Sequence, residues 1–123
     1  MEEFEVIFYT LPNGKEPVLE FLDSLGLKMR AKMLKMLELL QKNGPALREP
    51  YSKHLDDGIF ELRVQFGSDI SRAFYFFFVG RKIVVTGGFI KKTEKTPPEE
   101  IDRAKACRKD YLHQQERQDH EQS

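Results

Sequence analysis

The chain has 123 residues, a formal net charge of zero and a single cysteine. That length makes one domain, able to bury roughly two-thirds of the surface its unfolded form exposes. The lone Cys107 excludes an internal disulfide, and the acidic start Met1-Glu2-Glu3 lacks the basic and apolar regions of a signal peptide.

The lone cysteine and the acidic start give the expectation of a cytoplasmic protein, and the longest apolar run, Ala73 to Val79, covers about a third of a membrane span and reads as a buried strand, with no membrane partner expected. The neutral total hides an uneven distribution. Residues 1–26 hold six acids and one base, residues 27–54 seven bases and two acids, and residues 55–96 seven bases and five acids. A fold that gathers the middle segments would present a positive patch.

Glu5 to Tyr9 is short, β-branched and aromatic, and Pro12-Asn13-Gly14 stops it, which predicts a first strand. From Glu16-Pro17 to Leu25, the residues Val18, Phe21, Leu22 and Leu25 recur at helical spacing, and Gly26 closes this short helix. Leu27 to Lys42 is the strongest helix. Met29, Met33, Met36, Leu37 and Leu40 share one side of it, and Lys28, Lys32, Lys35 and Lys42 the other. Such a lysine stripe is most often a solvated face, so nucleic-acid contact by Lys32 and Lys35 is an auxiliary reading.

Pro45 to Asp57 reads as a loop, after which the apolar period falls from near four to two. Three strands follow. In the first, Phe60, Leu62, Val64 and Phe66 face one way and Ile59, Glu61, Arg63 and Gln65 the other; Ile70 to Val79 is apolar on both faces, as in a covered central strand. Ile83 to Phe89 is the third, and the short connections predict an antiparallel meander. Thr96-Pro97-Pro98-Glu99-Glu100 predicts a threonine-capped helix running through Ile101, Ala104, Arg108 and Tyr111. Beyond residues 1–112, the polar segment 113–123 is expected to be a disordered tail. The fold class is α+β with an antiparallel sheet, in the order β-α-α-β-β-β-α.

Arg63 and Arg72 flank the Gly67 turn on neighbouring strands, and Arg72 shares its face with Phe74 and Phe76, where an unpaired charge is costly. Glu61 is its available structural partner. Lys91 and Lys92 nevertheless bring the local count to four cations against one acid, a surplus that favours an external anion. His54, His113 and His120 show no metal-ligand spacing, and neither a phosphate loop nor a nucleophilic triad is present. Neither metal nor cofactor is expected.

RNA permits phosphodiester cleavage without metal, because its own 2′-hydroxyl attacks phosphorus once a base takes the proton and cations hold the developing charge. Arg63 and Arg72 suit phosphate clamping, Lys91 or Lys92 transition-state stabilisation, and Glu61 or His54 proton transfer; Lys53 and Lys95 would add RNA contacts.

The runs Lys53-His54-Leu55 to Gly58-Ile59-Phe60-Glu61-Leu62-Arg63, Ser71-Arg72-Ala73-Phe74-Tyr75-Phe76 and Gly88-Phe89-Ile90-Lys91-Lys92-Thr93-Glu94-Lys95-Thr96-Pro97 together resemble the phage-derived HigB-like branch of the RelE/ParE toxin superfamily. The resemblance implies a RelE-like toxin of a type II toxin–antitoxin system, held inactive by an antitoxin usually of helix-turn-helix type. It implies metal-independent cutting of mRNA on the 70S ribosome, with Arg63 and Arg72 at basic catalytic positions and Lys91 or Lys92 near another. Better-understood members often carry a tyrosine or histidine after the last strand for proton transfer. Here that region is Thr93-Glu94-Lys95-Thr96-Pro97, and the nearest tyrosine, Tyr111, lies within the final helix. A ParE-like gyrase poison and a non-cleaving RNA-binding domain are the alternative readings.

Overall fold

A computed structural model describes residues 3–92 and 94–122. Thr93, part of the motif after the last strand, lies outside the described residues, as do Met1, Glu2 and Ser123. The elements are β1 (Glu5–Phe8), α1 (Pro17–Ser24), α2 (Leu27–Asn43), β2 (Ser52–Asp56), β3 (Ile59–Phe66), β4 (Asp69–Phe78), β5 (Lys82–Lys91) and α3 (Pro98–Gln122). A single 3₁₀ turn, Gly44–Ala46, follows α2.

The strands form one five-stranded sheet in the order β1-β5-β4-β3-β2. The meander of β3, β4 and β5 is antiparallel as expected, and β4 is central. Its odd residues Ala73, Tyr75 and Phe77 pack with Met29, Met33, Leu37 and Leu40 of α2 and Val18, Phe21 and Leu22 of α1. Its even residues Phe74, Phe76 and Phe78 pack with Ile59, Val84 and the α3 residues Ala104 and Tyr111. Each fully buried large apolar side chain contributes roughly 1.5–3 kcal/mol, so the two-sided β4 is the main source of cohesion.

Three expectations need correction. The sheet is mixed, because β1 runs parallel to β5 with Val6 opposite Ile83 and Ile7 opposite Val84. A parallel partner needs a long crossover, supplied here by the whole intervening chain, and short-range sequence patterns carry no sign of it. The segment read as a loop contains β2, an edge strand paired antiparallel to β3. Ser-Lys-His-Leu-Asp has little strand propensity; pairing makes the strand, together with the short Ser52–Tyr75 hydroxyl contact and an Asp57-Gly58 turn with both residues at positive φ.

Finally, the segment read as a disordered tail continues α3 to Gln122. Its Gln, Glu and Arg residues are good helix formers. Gln114 also binds Asp110 at 2.7 Å and the Thr10 carbonyl at 3.2 Å, which ties the extension to the body.

α1 and α2 dock by apolar packing, whereas polar contacts carry much of the seating of α3. Arg108 donates to the Asp57 carbonyl and pairs with its carboxylate at 2.8 Å, and Lys105 pairs with Asp56. Tyr9 donates to Asp110 at 2.5 Å. On the opposite face, Gly88 lets β5 approach α1: a Cβ there would lie 2.2 Å from the Phe21 ring. Gly88→Ala is therefore expected to lower stability by about 1–3 kcal/mol through overpacking, read as a shifted urea midpoint.

Burial pushes the ionisation of Tyr9, Tyr75 and Tyr111 to higher pH, and the Asp110 carboxylate pushes that of Tyr9 further. A raised folded-state value favours the neutral phenol, so its contribution is complete below the unfolded value of about 10 and is lost as pH rises above it. Chemical denaturation across pH 7 to 12 should show stability falling above pH ~10, with a shallower alkaline decline in Tyr9→Phe.

Candidate functional site

The β3–β4 register sets Arg63 directly opposite Arg72. Two like charges facing each other across a ladder destabilise it unless an anion intervenes. Strand alternation supplies one, since Glu61 lies two residues before Arg63 and points to the same face. Its carboxylate is 3.4 Å from Arg63 Nε and 3.8 Å from Arg72 Nε. Thr96 completes the cradle by donating its hydroxyl to Glu61 Oε1 at 2.5 Å. This revises the expected helix start: α3 begins at Pro98, and the Thr96 side chain serves Glu61 instead of capping the helix.

The two arginines occupy different environments. Arg72 is 0% exposed; its Nη1 donates to the Ile70 carbonyl at 3.2 Å, and its guanidinium stands 5.4 Å from the Phe89 ring centre. Burial, and then Arg63, pull Arg72 below its ordinary value, while Glu61 and Glu94 oppose the shift. So placed, Arg72 is closed to solvent beside Glu61. The Arg63 side chain is 21% exposed and reaches the surface. Its Nη2 donates to the Glu94 carbonyl at 2.6 Å and lies 3.4 Å from the Glu94 carboxylate. An anion already occupies the outer side of this guanidinium, and it comes from an exposed residue.

Lys91 extends the cluster along the same face, opposite Ile70 and with Nζ 5.5 Å from the Phe89 ring centre. Lys53 on β2 is opposite Glu61 and exposed. Lys92 and Lys95 are exposed around the start of the β5–α3 connection. The cluster thus has a buried acid at its centre, one buried and one surface arginine beside it, and a margin of exposed lysines.

His54 is not in this group. It pairs with Phe60, whose side chain faces α2, and its Nε2 accepts the Gly58 N–H at 3.1 Å. Lys53 shares the face of Glu61, its partner across the ladder, and strand alternation turns the next residue, His54, to the other. Lys32 and Lys35 stand on α2 beside a separate groove that Arg63 also lines. Tyr111 is buried edge-on to Phe76 and Phe78, a packing role. The sequence reading missed Glu94 and Thr96 as site residues; Thr96 had been read only as a helix cap, and the contact of Glu94 with Arg63 spans 31 positions.

Glu61→Ala should cost roughly 3–5 kcal/mol, because it leaves two guanidinium groups facing each other with one buried. Arg63→Ala should cost less, about 1–2 kcal/mol, because Arg72 and Thr96 still hold Glu61 and the pair with Glu94 is solvent-screened. Guanidinium unfolding of both variants checks this ranking; equal losses would mean that Glu61 is not the organising charge.

Residues 20–109 match the family described as Phage derived protein Gp49-like (DUF891). The matched span runs from α1 well into α3 and contains β2 to β5 and the whole Glu61 cluster. No curated protein matches the chain. Among the described residues, no helix is long and apolar enough to cross a membrane. Because the match covers most of its length, the chain belongs to the phage-derived Gp49-like family.

Proposed function

We propose that this protein is the toxin of a type II toxin–antitoxin system, RelE/HigB-like in fold, and that it cleaves mRNA on the ribosome without a metal ion. One observation carries the reading: a part-exposed arginine, with an exposed lysine on the neighbouring strand, stands beside a carboxylate held in place by a buried arginine and a threonine. Membership of a phage-derived family is consistent with it. A structural ion pair would account for Arg72 and Glu61 alone. It leaves unexplained the part-exposed Arg63 beside them, the exposed Lys53 opposite Glu61 and the exposed Lys91 further along the same face.

In this reading the scissile phosphate displaces Glu94 from Arg63, exchanging a carboxylate and a carbonyl for phosphate oxygens. Lys91 lies along the same face and meets a second oxygen. The departure of Glu94 also opens a path to Glu61, which Arg72 and Thr96 hold as the proton acceptor. The 2′-oxygen, its proton passing to Glu61, bonds to phosphorus, and the bond to the 5′-oxygen breaks. That oxygen takes a proton from a neighbouring lysine, Lys91 or Lys92, leaving a cyclic phosphate and a 5′-hydroxyl end. Arg72 acts as a positioning residue throughout. A cognate antitoxin would restrain the activity in the cell.

The test is induction in bacteria with mapping of new mRNA 5′ ends, beside Arg63→Ala and Lys91→Ala/Lys92→Ala. Ends in codon register that require translation should appear with the parent chain. They should fall by about 10²-fold or more with Arg63→Ala, the usual consequence of removing a group that stabilises transition-state charge. Growth arrest with intact mRNA would replace this reading with gyrase inhibition, and continued growth with RNA binding would leave a non-cleaving module.

A further inference from the structure

A cavity of about 250 Å³ lies between α3 and β5. Leu11, Phe74, Ala104 and Cys107 give it apolar walls, and Glu100 and Arg103 supply the charges among the described residues that line it. Its volume depends on Gly87. That residue pairs with Phe74 across the ladder and so shares the face that α3 covers.

Neither usual demand for glycine applies at Gly87. Its φ lies outside the left-handed region, and an added Cβ would stand 3.7 Å from Pro17, an ordinary contact. Gly88 shows the contrast, since a Cβ there runs into the Phe21 ring. Protein interiors fill such spaces with side chains, so an unforced glycine beside a hollow marks a place that a ligand approaches. Next to it the β4–β5 register passes from Phe74–Gly87 to Tyr75–Val85. Thr86 is left as a bulge, a feature that recurs beside functional sites.

The mouth carries one charge of each sign. Glu100 and Arg103 stand one turn apart on α3, their charged atoms 3.3 Å apart and their side chains 16% and 70% exposed. A pair open to solvent on one side contributes little to stability, so a ligand bearing both charges exchanges with it at little cost.

We propose that this cavity binds a free α-amino acid with a branched or aromatic apolar side chain. The side chain enters between Phe74, Ala104 and Cys107, where removal of apolar surface from water drives binding. The ammonium group meets the Glu100 carboxylate, and the ligand carboxylate forms a bidentate pair with the Arg103 guanidinium. A singly charged ligand would break the Glu100–Arg103 pair and satisfy one member of it. The size agrees: a space of about 150 Å³ holds benzene, and this one leaves room for a side chain with its α-carbon. Glu61, Arg63 and Arg72 are not among the residues lining the cavity, and the assignment does not rest on the nuclease reading.

Isothermal titration calorimetry of the full chain with L-leucine and L-phenylalanine tests this. The comparison ligands are isocaproate, which lacks the amine of leucine, isoamylamine, which lacks the carboxylate, and isoamyl alcohol, which lacks both charges. Leucine should bind at least tenfold more tightly than each of the three. Gly87→Val fills the hollow and should abolish binding, with circular dichroism confirming the fold. Arg103→Glu changes an exposed side chain and keeps the test decisive if Gly87→Val fails to fold. In that variant leucine affinity should fall at least tenfold, and isoamylamine should become the tighter ligand.

Absence of binding by both amino acids would overturn the proposal, as would unchanged leucine affinity in Arg103→Glu or in folded Gly87→Val. So would isoamyl alcohol binding as tightly as leucine, since the cavity would then belong to neutral apolar molecules.

Discussion

Arg63 and Arg72 face each other across β3 and β4, and the centre of the sheet tolerates that pairing because Glu61 stands between them. The arrangement constrains more than two strands. Glu61 binds Thr96, which fixes the segment leading into α3, and Arg63 binds Glu94 in the same connection. Arg72 packs against Phe89 and so engages β5. One buried carboxylate thereby couples the meander to the element that follows it, and the cost of burying charge is offset by placing opposite charges within 4 Å.

The two faces of the sheet are held by different physics. On one, α1 and α2 bury a continuous set of methionines, leucines and phenylalanines, which supplies non-directional cohesion. On the other, α3 offers Ala104 and Tyr111 as buried apolar contacts and relies on directional links to Asp56, Asp57 and Tyr9. Directional bonds fix where a helix sits more than how strongly it is held. The Glu61 cluster lies on this second face, where position matters most.

Arg63 stands between a buried and an exposed acid. Inward it meets the buried Glu61 carboxylate, and outward it meets the exposed Glu94.

The amino-acid sequence by itself determined the meander, both early helices and the two-sided burial of β4. Each rests on a local period: 3.6 for Met29-Met33-Leu37-Leu40, two for Phe60-Leu62-Val64. It also placed Glu61, Arg63 and Arg72 together, because alternation and a tight turn at Gly67 leave the register little freedom. Tertiary structure alone decided the rest. β2 and the parallel seating of β1 depend on partners distant along the chain. The separation of His54 from Glu61 depends on how β2 pairs, and the recruitment of Glu94 and Thr96 on how the β5–α3 connection folds back. Burial distinguished the arginines: their sequence settings look alike, yet packing beneath Phe89 makes Arg72 internal and leaves Arg63 at the surface.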